Sequence, residues 1–171
     1  EMNLNAVRSH YPPDTHFLEA CDSLGLFVID ELAGWQNAYD ATVGRRLLEE
    51  MVVRDANHPS IVLWSNGNEG GWNTALDKYF SCYDPQQRHV IHPWADFNGL
   101  DTHHYPAYLT GVGRFTNGYN VFMPTEFMHG QYDQGHGAGL EDFWANYTSH
   151  PLFAGGFMLS LIHISEPTRP Y

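Results

Sequence analysis

Met51-Val52-Val53-Arg54-Asp55-Ala56-Asn57-His58-Pro59-Ser60-Ile61-Val62-Leu63-Trp64-Ser65-Asn66-Gly67-Asn68-Glu69 is the stretch that decides how this chain folds. Its first residues close a helical pattern, running from about Thr42 to Asp55, that turns Leu47, Leu48, Met51 and Val52 inward. Asn57-His58-Pro59 ends the helix, because proline disfavours helical backbone in the residue before it. Ile61 to Ser65 is then an unbroken β-rich run, as a strand buried on both faces requires. The run opens onto Asn68 and Glu69, with Gly70-Gly71 behind them. Helix, break, buried strand and polar strand end make half of a βαβ unit.

The same order recurs on both sides. Upstream, the run Leu4 to Arg8 is stopped by Pro12-Pro13, and Asp14 is placed to cap a helix that carries Phe17, Leu18, Cys21 and Leu24 inward before Gly25 stops it. Leu26-Phe27-Val28-Ile29 is a second buried strand, ending on Asp30 and Glu31. Downstream, a helix from about Thr74 to Tyr83 leads to short strands at His89–His92, Gly99–His103 and Val121–Thr125. An amphipathic helix marked by Leu140, Phe143, Trp144 and Tyr147 precedes a last strand beginning at Gly155. Two connections, Pro93 to Asn98 and Pro106 to Asn120, lack helical period. Periodicity alone therefore fits either a barrel or an open doubly wound sheet. No G-x-G-x-x-G follows a strand, so a dinucleotide site has no support.

Composition narrows the function. The 171 residues are 43% hydrophobic and 15% aromatic, enough for a packed core, and the formal net charge of −12 repels phosphate backbones. Nucleic acid is excluded as a partner on that ground, and a neutral substrate suits the field. No apolar run approaches the roughly 20 residues of a membrane span. Cys21 and Cys82 have no C-x-x-C spacing and are expected as buried free thiols.

Polar residues gather at the ends of successive strands: Arg8 and His10, Asp30 and Glu31, Asn68 and Glu69, His103 and Tyr105, Glu126 and His129. In a parallel barrel that rim carries the chemistry. Glu69 and Glu126 each follow directly on a β-rich run. One such glutamate alone is explained equally well as a carboxylate complementing a helix dipole. A metal site on His103, His104, Glu126 and His129 is a further reading, weakened by the absence of an H-E-x-x-H spacing.

These residues carry a resemblance. Asn5 to Pro12, Cys21 to Glu31, Met51 to Glu69, Thr125 to His129 and Phe153 to Phe157 resemble, in order, the catalytic barrel of glycoside hydrolase family 2, which includes β-galactosidases, β-glucuronidases and β-mannosidases. The resemblance implies a partial TIM (β/α)8 barrel over residues 1–158, from about strand two to strand eight. The first strand and most of the eighth are missing, and so are the β-sandwich domains that flank such barrels. It implies a retaining β-glycosidase acting on a carbohydrate, β-galactosidase-like before β-glucuronidase-like. Glu69 is then the acid/base and Glu126 the nucleophile. Asn68 contacts the sugar 2-hydroxyl, His10 and His129 contact the sugar, Arg8 supports the nucleophile and Tyr105 touches it. His103 and Trp35 are further substrate contacts, core packing being the alternative for Trp35, and Asp30 and Glu31 take supporting positions. The chain reads Leu32-Ala33-Gly34-Trp35-Gln36 where some β-galactosidases carry Glu-x-His metal ligands, so no metal and no cofactor is expected. Rival readings are a non-catalytic carbohydrate-binding barrel and a metal-dependent hydrolase. Residues 159–171 break the strand pattern and look like the translation of a sequencing-library adaptor, a non-native tail. A barrel left open in this way exposes strand edges, so the chain alone is expected to be poorly stable and inactive. The sequence assigns no cellular location.

Overall fold

The structure, a computed structural model, describes residues 3–108, 118–129 and 138–159. All but the first residue of the adaptor-like tail, and most of the glycine-rich Gly130 to Gly139 loop, lie outside the described residues. The chain divides into two compact units, Glu1–Pro93 and Trp94–Tyr171.

The first unit is a parallel sheet with helices between its strands. Strands β1 (Ala6–Arg8), β2 (Phe27–Trp35), β3 (Ile61–Asn68) and β4 (His89–Ile91) lie side by side in chain order. A doubly wound sheet reverses its order at a switch point, and this sheet has no reversal. Helix α1 (Thr15–Leu24) starts where Asp14 accepts from the His16 N–H, and ends at Gly25, whose φ of 71° is left-handed. Helix α2 (Ala41–Asp55) is capped by Asp40. A 3-10 turn, Thr74–Leu76, leads into α3 (Asp77–Tyr83).

Side chains alternate across the sheet, and the alternation sorts core from site. Val28, Leu32, Trp64 and Val90 pack in one core with Leu18 and Cys21 of α1, Leu48, Met51 and Val52 of α2, and Leu76 and Phe80. Phe17 and Leu24, expected on the inner face of α1, are exposed. The helix buries only Leu18 and Cys21, about 60° apart around its axis, and Phe17 and Leu24 fall outside that narrow face. Cys21 is buried as expected, but Cys82 is exposed; both are free thiols.

The R-D-x-N-H-P-S stretch is a structural clasp. Arg54 grips Asp55 with two bonds of 2.6 Å and reaches the Pro13 carbonyl. Asp22 of α1 holds His58 Nδ1 at 2.6 Å and accepts from the Ser60 N–H. Arg88 donates to the carbonyls of Ala56 and His58, and to Asp84, which also accepts from Trp64 Nε1. These bonds fix where β3 begins and so where it ends.

In the second unit β5 (Asp96–Phe97) pairs antiparallel with β6 (Leu100–Asp101), which pairs parallel with β7 (Val121–Phe122). The irregular Pro93 to Asn98 connection is thus partly a strand. Three expected strands are shorter than their runs in this unit: β6 covers Leu100–Asp101 of Gly99–His103, β7 stops at Phe122, and the segment from Gly155 forms only isolated bridges among the described residues. Pro124 has no N–H to lend to a ladder, which shortens β7. Parallel bridges His104↔Glu126 and Phe127↔Met158 nevertheless continue the strand directions. Helix α4 (Leu140–Thr148) closes an aromatic core of Phe122, Phe127 and Tyr147 with Phe143 and Phe153.

Candidate active site

In the first unit the strand ends bring five of the candidate residues together. Arg8 ends β1 with its side chain almost wholly buried; it lies 2.7 Å from Glu31 and donates to the Asn68 Oδ1 at 2.8 Å. Because Asn68 Oδ1 is occupied by a guanidinium donor, its amide nitrogen is oriented as a donor. Glu31 also accepts from Ser65 Oγ at 2.8 Å. Burial pushes the Glu31 carboxyl up, against the pull of Arg8 and the Ser65 bond.

Asp30 departs from the rim expected of it. One residue from Glu31, it points to the opposite face, fully buried, beside Asp55 of α2. Burial first, then the bond and charge of Asp55, push Asp30 up to about 8. A protonated Asp30 beside Asp55, itself gripped by Arg54, satisfies this arrangement. Asp30 is part of the clasp, not of the site.

Trp35 is not in the core. It is 60% exposed and its Nε1 donates to Glu69 Oε2 at 2.8 Å. A register shift between Leu32 and Trp35 sets Trp35 opposite Asn68. Glu69 itself takes a left-handed φ of 45° just past β3. His10 is exposed, edge-on to the Tyr11 ring at 5.5 Å.

In the second unit Glu126 is 3% exposed. The Tyr105 hydroxyl donates to its Oε2 at 2.5 Å, and the Tyr105 N–H to its carbonyl at 2.8 Å. The Thr125 hydroxyl donates to the Thr102 carbonyl at 3.0 Å, so it accepts from His104 Nε2 at 2.9 Å. That relay fixes the proton of His104 on Nε2 and leaves Nδ1 3.6 Å from Glu126 Oε2. The His129 ring lies 6.1 Å from that of Tyr105. The His103 backbone N–H donates to Asp101, and its side chain is half-buried.

Sequence reading missed one residue at the strand ends. His92, just past β4, is buried, bonds Asp77 at 2.8 Å and stacks on Trp72 at 5.3 Å. The signal was there: His92 follows a β-rich run as Glu69 does.

A polar rim at the ends of parallel strands, alternating with helices, is the α/β arrangement on which barrel enzymes carry their sites. Residues 1–92 match the profile of the glycosyl hydrolases family 2 TIM barrel domain, and the chain belongs to that family. It is 53% identical over 68 residues to a β-galactosidase of Thermoanaerobacterium thermosulfurigenes, covering 37% of this chain and 10% of that protein. Along its whole length it is 30% identical to a β-galactosidase of Yersinia pseudotuberculosis, of which it spans 19%. Among solved structures, a family 2 member from Bacteroides cellulosilyticus superposes with a TM-score of 0.67 at 23% identity, covering 92% of this chain and 23% of the other. A Faecalibacterium prausnitzii β-glucuronidase does so at 0.66 and 24% identity, over 90% of this chain and 36% of its own. The fold is that of a partial family 2 TIM barrel. The chain spans about a tenth to a fifth of the curated relatives named here.

Proposed function

We propose that this chain carries the two catalytic carboxylates of a retaining β-glycosidase, β-galactosidase-like, with Glu126 as nucleophile and Glu69 as acid/base. The observation that carries the reading is that the family-matched segment ends β3 on Asn68-Glu69, with Asn68 Oδ1 tied to Arg8 and Glu69 tied to Trp35. Double displacement asks for two carboxyl groups about 5–5.5 Å apart. Ionised Glu126 attacks the anomeric carbon and forms a glycosyl ester, while Glu69 gives its proton to the departing oxygen. Water then attacks the anomeric carbon, Glu69 takes its proton, and Glu126 leaves as carboxylate. Charge on Glu126 and partial desolvation favour a protonated Glu69 in the first step, and loss of that charge on esterification favours its ionised form in the second. Asn68, its amide nitrogen turned outward, donates to the sugar 2-hydroxyl, a bond that strengthens as charge develops on the ring. Tyr105 holds Glu126 through the hydroxyl bond to Oε2. His10, His103 and His129 are assigned to the sugar, and Arg8 to the support of the nucleophile. Residues 1–158 are assigned to the barrel and 159–171 to a non-native tail, with β-sandwich domains flanking the barrel in the full-length protein.

Galactose is favoured over glucuronate because β-galactosidases match at 53% and 30% identity, whereas the β-glucuronidase likeness named above, at 24%, is one of fold. The test is turnover of aryl β-galactosides and β-glucuronides by the full-length gene product. Loss of activity in Glu126→Ala, with azide yielding the α-glycosyl azide, is expected. Undiminished turnover by that variant ends the assignment. Activity abolished by a chelator and restored by zinc would transfer the chemistry to a metal.

A further inference from the structure

We propose that Trp35 is both the positioning residue of Glu69 and the wall of the leaving-group side of the site. The inference rests on Glu69 being the acid/base.

The local structure is built to put this indole where it is. The β2 strand continues past its bulge only because two backbones cross at glycine. A Cβ on Gly34 would lie 2.5 Å from the Gly71 carbonyl oxygen, and a Cβ on Gly71 would strike Gly34 in return. Gly34 also has a φ of +153°, which L side chains rarely adopt. The crossing brings the Trp35 backbone alongside Asn68, with the Gln36 N–H donating to the Asn68 carbonyl at 3.1 Å. The indole then reaches Glu69 Oε2 at 2.8 Å, yet keeps most of its surface open to solvent. A tryptophan that exposed has no core to fill. Its N–H is committed, and its ring face is what remains to be used.

Two consequences follow for a carboxyl group that must deliver a proton. A neutral carboxyl has one carbonyl-type oxygen and one hydroxyl. Oε2 accepts from the indole, so it is the carbonyl-type oxygen and the proton sits on Oε1. Trp35 thereby chooses which oxygen faces the leaving group. As the proton leaves, Glu69 becomes an anion and the same N–H bond becomes charge-assisted and stronger. The gain arises only as the glycosidic bond breaks, which is where it lowers the barrier. The group beside an acid that protonates the leaving oxygen borders the leaving group, not the sugar being attacked. The exposed indole face is a platform for an aromatic or sugar aglycone.

The test uses the full-length enzyme with aryl and alkyl β-galactosides whose leaving groups span acidic to poor. Trp35→Phe keeps a ring and removes the N–H. It should cost kcat/KM little on a dinitrophenyl glycoside and about tenfold or more on a phenyl or methyl glycoside. The alkaline limb of its pH–rate profile should move to higher pH, because the ionised acid has lost a donor. Trp35→Ala should show the same dependence and in addition lose the aglycone preference, read free of leaving-group chemistry as tighter inhibition by phenyl than by methyl 1-thio-β-galactoside. A uniform loss across leaving groups in Trp35→Phe, with an unmoved pH profile, overturns the positioning role. An unchanged aglycone preference in Trp35→Ala overturns the platform. Glu69→Ala is the control: if it too loses activity uniformly, the acid/base assignment fails and takes this inference with it. If Glu69→Ala discriminates among leaving groups and Trp35→Phe does not, the failure belongs to Trp35 alone.

Discussion

Tyr105 and Glu126 are joined twice, by the phenolic hydroxyl on Oε2 at 2.5 Å and by the Tyr105 N–H on the Glu126 carbonyl at 2.8 Å. The backbone bond sets the register of two strand ends, and the side-chain bond then has one geometry. A hydroxyl donating to a carboxylate stabilises the anion. For the nucleophile proposed above, that opposes attack and favours departure.

Tyr105→Phe should therefore slow the second step more than the first. With an activated aryl galactoside, where release of the glycosyl enzyme limits turnover, kcat should fall by about tenfold or more. kcat/KM, which reports the first step, should fall less. Burst kinetics on the full-length enzyme would show a larger accumulation of the ester. Equal losses in both parameters would show that the hydroxyl does not act on the anion.

Asp30 predicts a stability that declines as pH rises. Its folded value of about 8 lies above its ordinary value of 3.8. Below the ordinary value both folded and unfolded chains hold the proton, and the contribution is complete. Between about pH 4 and 8 the unfolded chain releases the proton while the folded one keeps it, so stability falls. Asp30→Asn retains an N–H donor toward Asp55 and removes the titration. It should be neutral near pH 4 and stabilising near pH 8, by on the order of a few kcal/mol. Denaturant melts at the two pH values measure this, and equal differences at both would refute it.

Asp84 has the opposite sign. Burial alone would raise its carboxyl, but Trp64 Nε1, the backbone N–H groups of Arg88 and Gln86, and the Arg88 guanidinium together hold it below the usual range. Its stabilisation is present above the ordinary value of 3.8 and is lost as pH falls through the lower folded value. Asp84→Ala strands a buried indole N–H and a buried guanidinium, and should cost about 3–5 kcal/mol near neutral pH. Thermal melts of the full-length protein check this. A loss under about 1 kcal/mol would mean that water replaces the carboxylate.

Much of this was legible because the signals are local. Asp14, Gly25 and the Asn57-His58-Pro59 break mark helix ends by cap and turn chemistry that needs no partner elsewhere. The buried run from Ile61 likewise put Asn68 at the end of β3 and Glu69 just past it. What failed depends on facing. Asp30 and Glu31 are adjacent, and only the sheet shows that one points to α2 and the other to Arg8. Trp35 could be read as core or as site until the Gly34–Gly71 crossing showed how the strand carries it outward. The most specific motif, Arg54 to Ser60, proved to hold β3 in place by contacts to α1 and Arg88, all of them far along the chain.

Arg8 separates fold from chemistry in one experiment. It lies 2.7 Å from a wholly buried Glu31 and also orients the Asn68 amide. Arg8→Met leaves Glu31 buried without its cation, at a cost of about 3–5 kcal/mol. Adding Glu31→Gln removes the orphaned charge, so the double variant should recover most of that stability. With Asn68 assigned to the sugar as proposed above, it should not recover activity, because the donor that orients the Asn68 amide is still missing. On the full-length enzyme the double variant is thus expected to melt near the wild type while kcat/KM stays depressed by about tenfold or more. Activity that returned along with stability would reduce Arg8 to a packing partner of Glu31 and take Asn68 orientation out of its account.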